Sequence, residues 1–235
     1  NVNGLMTADP QIVKEAKVLK EVSFAEAIEL SLFGAKYMHP RALEPVMDTK
    51  IPIRIRNAFN LANEGTIISK NPSKSSQKIV KSIIAIRNNA LIDVSGGGMV
   101  GAPGTAAKIF DALARKSVNI MMISQSPSES SISMVVKKDD LDTAITTLDL
   151  TLLDKVIKNV RVNEDVAVVA VVGSGMRGIK GIAAKVFSSV SKNSINVIMI
   201  AQGSSELNLA FVVNNVDCEK AVRSLHEAFM LTKVN

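Results

Sequence analysis

Short apolar runs and amphipathic stretches alternate along the chain after residue 78, and the same order occurs twice. Apolar runs of this length predict buried strands, whereas apolar residues spaced three and four apart predict helices. The first copy has predicted strands at 90–95, 118–124 and 132–137 and helices from Pro103 and at 139–148. The second has strands at 166–172, 195–201 and 209–214 and helices from Lys180 and at 217–229. The order strand, helix, strand, strand, helix, with room for a closing strand, is the ferredoxin-like split arrangement.

The two copies are related by an internal repeat with a spacing of 77 residues. Residues 98–148 align with 175–225 without a gap, and 20 of the 51 positions are identical. Such self-similarity indicates duplication and decides the fold class. We therefore predict an α+β protein with two ferredoxin-like βαββαβ domains.

A further apolar run at 79–86 predicts an extra strand ahead of the first copy. The second copy has little chain after its last predicted helix, so no closing strand follows it there. We expect the extra strand to help complete the sheet of the second copy.

The first 66 residues follow a different pattern. Ser23 and Glu26 form a capping box that opens a helix through about Leu32. Pro40 suits the first turn of another helix, at 40–47, and the alternation at 51–56 predicts a strand. Residues 65–78 are rich in serine and lysine and contain no acid, which predicts a linker.

Composition narrows the function classes. The chain has 235 residues, 47% apolar and 21% charged, and its longest apolar run has seven residues, which is too short for a membrane span. One cysteine and two distant histidines exclude a disulfide framework and predict no metal site. A cytoplasmic location fits these features. The net charge of +6 is spread evenly, with +3 in residues 1–78 and +3 in residues 79–235, and only eight residues are aromatic, so we predict no nucleic-acid partner.

Each copy carries a glycine motif that matches the dinucleotide-binding fingerprint, at 96–101 and at 173–178. The dinucleotide-binding fold needs an acidic residue at the end of its second strand, where this chain has Gln125 and Gln202. It also needs a helical crossover to the third strand, but about seven residues can form only an antiparallel hairpin. The motif therefore does not predict a dinucleotide site.

A glycine-rich turn at a helix N-terminus still favours an anion, and a single carboxylate fits so short a loop. Asn119 and Gln125, and in the second copy Asn196 and Gln202, bracket the second strand and could bind an ammonium group or a hydroxyl. Two other interpretations stay open. The glycines could serve only tight turning and packing, and each amide could cap a turn.

Several segments resemble the aspartate kinase family. They are Thr7-Ala8-Asp9-Pro10, the run from Phe33 to Arg41, and the stretch from Ile51 to Thr66; the duplicated region is similar to the paired ACT domains of these enzymes, closest to archaeal members. The resemblance implies phosphorylation of the aspartate side chain with ATP and magnesium, and a feedback sensor for an end-product amino acid. The chain then divides into a kinase-domain remnant at 1–66, a linker at 67–78, a first ACT domain at 79–162 and a second at 163–235.

The same resemblance implies that catalytic residues, including the phosphate-binding segment, are missing, so we expect no catalytic residue and no bound cofactor in this chain. Asn1, Met6 and Gln11 stand where the family has an aspartate, a tyrosine and an arginine. Lys36 matches the nucleotide-contacting lysine of the family, although it could equally be a surface lysine at a helix end.

The resemblance also assigns effector contacts to the first glycine loop and to the second-copy asparagine. Those residues are Met99, Gly104, Ala106 and Gln125, with Asn196 and Val197 opposite; Asn119 and Gln202 join them as the matching amides, and Asp93 and Glu129 are weaker candidates for the effector's ammonium. We favour threonine over lysine as the effector and expect a homodimer through the ACT domains. The alternative is a non-catalytic ACT module for dimerisation or sensing.

Overall fold

The computed structural model describes residues 3–32, 38–49, 51–73, 78–152 and 157–232. The chain forms two compact units. The larger comprises residues 1–86, 168–197 and 202–235, and the smaller comprises 87–167 and 198–201. The N-terminal segment and most of the second repeat copy therefore share the larger unit, whereas most of the first copy forms the smaller one.

The N-terminal segment forms a small mixed sheet with short helices. Its elements are β1 (Glu21–Ser23), α1 (Phe24–Leu32), a 3-10 turn (Pro40–Ala42), α2 (Glu44–Met47), β2 (Ile53–Ile55) and β3 (Thr66–Ser69). The strand order is β1-β3-β2, with β3 parallel to β1 and antiparallel to β2. Ile68 at the centre of β3 is fully buried.

The capping box is confirmed, since the Ser23 N–H donates to the Glu26 carboxylate at 2.8 Å and the Glu26 N–H donates to Ser23 Oγ at 3.1 Å. The predicted helix at 40–47 is interrupted at Leu43. The linker prediction is wrong at its start, because residues 66–69 form β3. The serines and lysines of 65–78 obscured two isoleucines that pair with strands on both sides.

The repeat region contains the predicted elements in the predicted order. The first copy has β4 (Ser82–Ser95), α3 (Thr105–Arg115), β5 (Ile120–Gln125), β6 (Ser131–Lys137) and α4 (Leu141–Leu152). The second has β7 (Asn159–Val172), α5 (Ile182–Lys192), β8 (Met199–Ala201), β9 (Asn208–Asn214) and α6 (Cys218–Ala228). This confirms the predicted α+β class with two copies of one unit.

The core of the smaller unit lies between an antiparallel sheet and two helices. β6 pairs antiparallel with both β4 and β5, as the hairpin argument predicted. Alternate residues of β4 face the core, which also receives Ile109 and Leu113 one turn apart on α3. α4 adds Leu141, Ala144 and Leu148 to the same cluster.

Strand β4 replaces the two strands predicted at 79–86 and 90–95. Asn88 adopts a left-handed conformation with φ of 61°, which asparagine tolerates better than most residues, and the strand continues past it. The polar run of Arg87, Asn88 and Asn89 suggested a break that the backbone does not make.

The residues at the start of β4 lie beside the second copy, and those at the start of β7 lie beside the first copy. In the larger unit the Lys81 N–H donates to the Val172 carbonyl at 2.8 Å, and in the smaller unit the Lys158 N–H donates to the Ser95 carbonyl at the same distance. Both contacts recur with the 77-residue spacing. Residues 79–86 therefore lie beside the second copy, and the start of β7 lies beside the first.

Across the described part of the chain, every helix is too short or too polar to cross a lipid bilayer.

Candidate functional site

The candidate site is the glycine turn between the first strand and the first helix of each copy. We call Gly96–Gly104 the first glycine turn and Gly173–Gly181 the second. Each begins with a 3-10 turn, at 97–99 or 174–176, and ends at the N-terminus of α3 or α5. Gly101 and Gly104 have φ of 61° and 85°, in the left-handed region, which explains why glycine occupies them.

The helix-facing end of each turn is open. A Cβ placed on Gly101 or Gly104 would meet no atom within 4 Å, and the same holds for Gly178 and Gly181. No side chain caps the N-terminus of α3 or α5. Uncapped N–H groups and the positive end of the helix dipole give both turns the electrostatics of an anion site.

A protein carboxylate already contacts each turn. The Gly101 N–H donates to Glu129 Oε2 at 3.0 Å, and the Gly178 N–H donates to Glu206 Oε2 at 2.7 Å. Both glutamates have left-handed backbones, with φ of 56° and 53°. One backbone N–H of each turn, at Gly101 and at Gly178, is therefore already bound to a carboxylate of the same chain. The identity of Glu129 and Glu206 across the repeat was the sequence signal for this contact.

The strand register brings Gln125 to the same end of the sheet as the first glycine turn. Gln125 and Val94 both pair with Ile132, from opposite sides, so they lie about 10 Å apart across two strand spacings. Asn119 precedes β5 and is separated from that edge by the length of the strand, about 17 Å. The structure therefore groups Gln125, but not Asn119, with the first glycine turn.

The other candidates of the first copy differ in accessibility. Gly104 is exposed and Ala106 is half-buried in the first turn of α3. The Met99 side chain is 2% exposed and belongs to the core, and its N–H donates within the turn to the Gly96 carbonyl at 3.0 Å. Asp93 accepts a hydrogen bond from Ser133 Oγ at 2.7 Å, so its carboxylate has a partner within the protein.

The second-copy candidates precede and follow β8. Asn196 and Gln202 are exposed, and Val197 is half-buried. Lys36 lies outside the described residues.

The second glycine turn packs more tightly than its open end suggests. A Cβ on Gly173 would lie 2.4 Å from the Ile79 carbonyl oxygen, and one on Gly175 would lie 2.6 Å from that of Lys78. These glycines are therefore needed for close backbone approach to residues 78–81.

Between those glycines, Ser174 is bound to a buried carboxylate. Its N–H donates to Glu26 Oε1 at 2.9 Å, and its hydroxyl donates to the same oxygen at 2.7 Å. Lys81 Nζ lies 2.8 Å from Glu26 Oε2, and both side chains are buried. Burial alone raises the pKa of Glu26, but Lys81, Ser174 and Ser23 together outweigh it and hold the pKa below the usual carboxyl value. The sequence indicated the capping role of Glu26, but these contacts come from residues far away along the chain.

Met6 and Gln11 stand at two described positions where a tyrosine and an arginine were expected from the resemblance. Met6 and Gln11 provide neither an aromatic ring for a base nor a cation for a phosphate, and the Gln11 N–H donates to Asp9 Oδ1 at 2.8 Å. Within the described ranges, no three His, Cys, Asp or Glu residues cluster in a way that could hold a metal ion.

Family models match both parts of the chain. The model of the ACT domain matches residues 92–151 and 169–229, and the model of the amino acid kinase family matches residues 1–57. Among curated proteins, the chain is 40% identical over 242 residues to the bifunctional aspartokinase/homoserine dehydrogenase 2 of Zea mays, chloroplastic by name. That alignment covers 99% of this chain and 26% of the relative, so the chain spans about a quarter of its length.

Two solved structures are similar to nearly the whole chain. Aspartate kinase from Clostridium acetobutylicum is 33% identical with a TM-score of 0.87, covering 97% of this chain and 53% of that one. Aspartokinase III of E. coli, in complex with lysine and aspartate, is 28% identical with a TM-score of 0.82, covering 97% of this chain and 50% of that one.

Proposed function

The chain belongs to the aspartate kinase family, and we propose that its tandem ACT domains sense an end-product amino acid for feedback control of the kinase. The observation that carries this proposal is the pair of open, uncapped glycine turns, each at the same position of a duplicated ACT domain. A free amino acid offers the carboxylate that such a turn favours. Couplings between effector and catalytic sites are typically about 1–3 kcal/mol.

The first glycine turn, with Gln125 at the same sheet edge, is the binding half-site that we propose. Gly104 and Ala106 supply backbone N–H groups at the start of α3, where a carboxylate gains from the helix dipole. The Gln125 side chain is exposed and can accept from an ammonium group or bond to a hydroxyl. Met99 supports this turn from the core. For the second copy we propose Asn196, Val197 and Gln202 as effector contacts.

Threonine is the effector we favour over lysine. A lysine side chain needs an acidic partner for its second ammonium group. The two acids near the first turn have internal partners, since Glu129 accepts from Gly101 and Asp93 accepts from Ser133. A threonine hydroxyl requires only a neutral polar group such as the Gln125 amide.

The enzyme of which this region would form part phosphorylates the side chain of aspartate. We propose ATP and magnesium as its phosphoryl donor and metal, with Lys36 as a nucleotide contact. Phosphoryl transfer depends on positioning and on charge stabilisation of the transferred group. Met6 and Gln11 do not fit a nucleotide edge, and we assign no step of the transfer to the described residues of the N-terminal segment.

The domain organisation that we propose keeps a kinase-domain part up to residue 66 and two ACT domains after residue 78. We propose that residues 79–86 complete the sheet of the second ACT domain, which the Lys81–Val172 backbone contact supports. We also propose a homodimer through the ACT domains. Ile123 on β5 is an exposed apolar side chain that a second copy could cover.

One observation favours a second function, a purely structural dimerisation module. Glu129 and Glu206 already satisfy one amide of each glycine turn, so the turns could exist for packing alone. In that case the chain would dimerise without binding any amino acid.

Titration calorimetry of the chain with threonine and with lysine tests the proposal. We expect threonine to bind and Gln125→Ala to weaken its binding about tenfold, the loss of one hydrogen bond to a charged or polar ligand group. Gln11→Ala, the same change at an exposed position of the N-terminal segment, is the control and should leave binding unchanged. A folded chain that binds neither amino acid would favour the dimerisation module.

A further inference from the structure

The carboxylate of Glu26 joins three parts of the larger unit. Oε2 accepts the Ser23 N–H at the start of α1 and lies 2.8 Å from Lys81 Nζ, next to the strand that borders the second copy. Oε1 accepts both the N–H and the hydroxyl of Ser174 in the second glycine turn. A capping-box glutamate ordinarily makes only the local bond to the N-cap residue. This one is fully buried and uses both oxygens on distant groups.

We call the contacts of Glu26 with Ser23, Lys81 and Ser174 the carboxylate junction. The repeat allows the second copy to be compared with the first at this junction. Lys158 stands 77 residues after Lys81. Its N–H makes the equivalent backbone contact, to Ser95 of the first copy, but its side chain is exposed. Gly97 stands where the second copy has Ser174, so the first turn has no hydroxyl at that position. The carboxylate junction is therefore a feature of the second copy that the duplicated fold does not require.

The contacts around the junction leave the second glycine turn little freedom to move alone. Gly173 and Gly175 lie against the backbone of residues 78–79, where even a methyl group would not fit. Lys81 Nζ also donates to the Glu21 carbonyl at 3.2 Å, next to α1. A shift of Ser174 must therefore move the Glu26 carboxylate or break its hydrogen bonds, and breaking them leaves a buried charge without compensation.

We propose that Glu26 is a positioning residue that couples the second glycine turn to helix α1 of the kinase-derived segment. This inference rests on the proposed sensing function for its purpose, but the coupling itself is a property of the chain without ligand. When the second glycine turn rearranges, the hydrogen bonds from Ser174 displace the Glu26 carboxylate. This displacement changes the stability of the first turn of α1. The contacts of Glu26 are thus one connection through which a change in the second ACT domain reaches helix α1 of the kinase-derived segment.

Amide hydrogen exchange on the 235-residue chain tests the coupling. Ser174→Gly recreates the residue of the first copy; it removes the hydroxymethyl group and keeps the backbone N–H that also donates to Glu26, so the chain should stay folded. We expect exchange to rise about tenfold both in the second glycine turn and in the first turn of α1. Glu26→Gln, which removes the charge, should produce a larger rise in the same two segments.

Glu206→Gln is the matched control, because it removes a carboxylate that accepts an N–H from the same turn, at Gly178, but does not reach α1. It should raise exchange near Gly178 and leave α1 unchanged. If Ser174→Gly loosens the turn without affecting α1, the coupling is wrong. The double variant Glu26→Gln with Lys81→Met removes both buried charges; it should recover the stability lost in Glu26→Gln while α1 no longer responds to Ser174→Gly.

Added threonine separates this inference from the proposed function. If threonine binds by calorimetry and alters exchange of α1 in the wild type but not in Glu26→Gln, both stand. If threonine binds and changes α1 exchange equally in both proteins, the coupling is wrong while sensing stands. If no amino acid binds, the sensing proposal is wrong, and the ligand-free exchange of Ser174→Gly still decides the coupling.

Discussion

Thr7 Oγ1 and His226 Nε2 lie 2.9 Å apart, although 219 residues separate them in the sequence. Thr7 Oγ1 also accepts the Lys17 N–H at 3.0 Å. The hydroxyl proton is therefore available to the imidazole, and a neutral ring that accepts at Nε2 fits this geometry. The contact ties the N-terminal segment to helix α6.

The pH dependence of stability should report His226. Burial lowers the pKa of His226 below its ordinary value of 6.5, and the Glu15 carboxylate opposes this only in part. The unfolded chain then binds a proton at higher pH than the folded chain, so this contribution is complete above pH 6.5 and is lost as the pH falls from there through the folded-state pKa. His226 and Glu15 line a cavity of about 750 Å³. The other charged side chains that line this cavity are Lys14, Arg223 and Glu227.

Urea denaturation between pH 5 and 8 measures this effect. His226→Gln should flatten the stability profile in that range, and His39→Gln, at the exposed histidine, should leave it unchanged. A wild-type profile that is flat below pH 6.5 would contradict the assignment.

Replacing Lys81, the buried partner of Glu26, should lower the free energy of unfolding far more than replacing an exposed lysine. Lys81→Met leaves the buried Glu26 carboxylate without its cation, which typically costs about 3–5 kcal/mol of unfolding free energy. Lys108→Met is the control at an exposed lysine and should change the free energy of unfolding by less than about 0.5 kcal/mol. Chemical denaturation of the two variants gives the comparison, and equal losses would show that the junction does not stabilise the fold.

Acid should weaken the Glu26–Lys81 pair at a lower pH than the range in which His226 titrates. The pKa of Glu26 is held below its ordinary value of 4.5, so the pair stabilises the folded chain above that pH and is lost as the pH falls through the lower, folded-state pKa. Glu26→Gln should remove this acid-sensitive part of the stability profile and leave the part due to His226. Thermal unfolding between pH 3 and 5 distinguishes the two groups.

Alanine substitutions in the glycine turns should fall into three classes. Gly97→Ala meets open space and should be nearly neutral. Gly104→Ala also meets open space but must adopt φ of 85°, which costs about 1–2 kcal/mol. Gly173→Ala would place a methyl 2.4 Å from the Ile79 carbonyl oxygen and should be the most destabilising of the three. Midpoints of thermal unfolding rank them, and a different order would contradict the described packing.

The elements of this protein were predictable where a local pattern determines them. The capping box placed the start of α1, and the repeat placed each strand and helix of one copy by reference to the other. The pattern failed where the decisive contacts are distant. Ile68 appeared to lie in a linker because its partners Val22 and Ile53 belong to other segments of the chain.

The candidate site was predictable only in part for the same reason. Glycines in a strand-to-helix turn indicate an anion site whatever surrounds them. The carboxylates that reach the turns come from residues 28 positions away for Glu129 and Glu206, and 148 positions away for Glu26. Identity across the repeat could have revealed the first two, but nothing local to Ser174 points to Glu26.

Residues 79–86, which border the second copy, are synthesised at the start of the first copy. Lys81 and Val172 are 91 positions apart, so a ribosome delivers the whole first copy before this backbone contact can form. Contacts between such distant residues slow folding because a long loop must close first. A second ACT domain cut out as one continuous piece would lack this neighbour and expose a sheet edge that invites aggregation. A circular permutation that attaches residues 78–86 after α6 would give the isolated domain its missing edge.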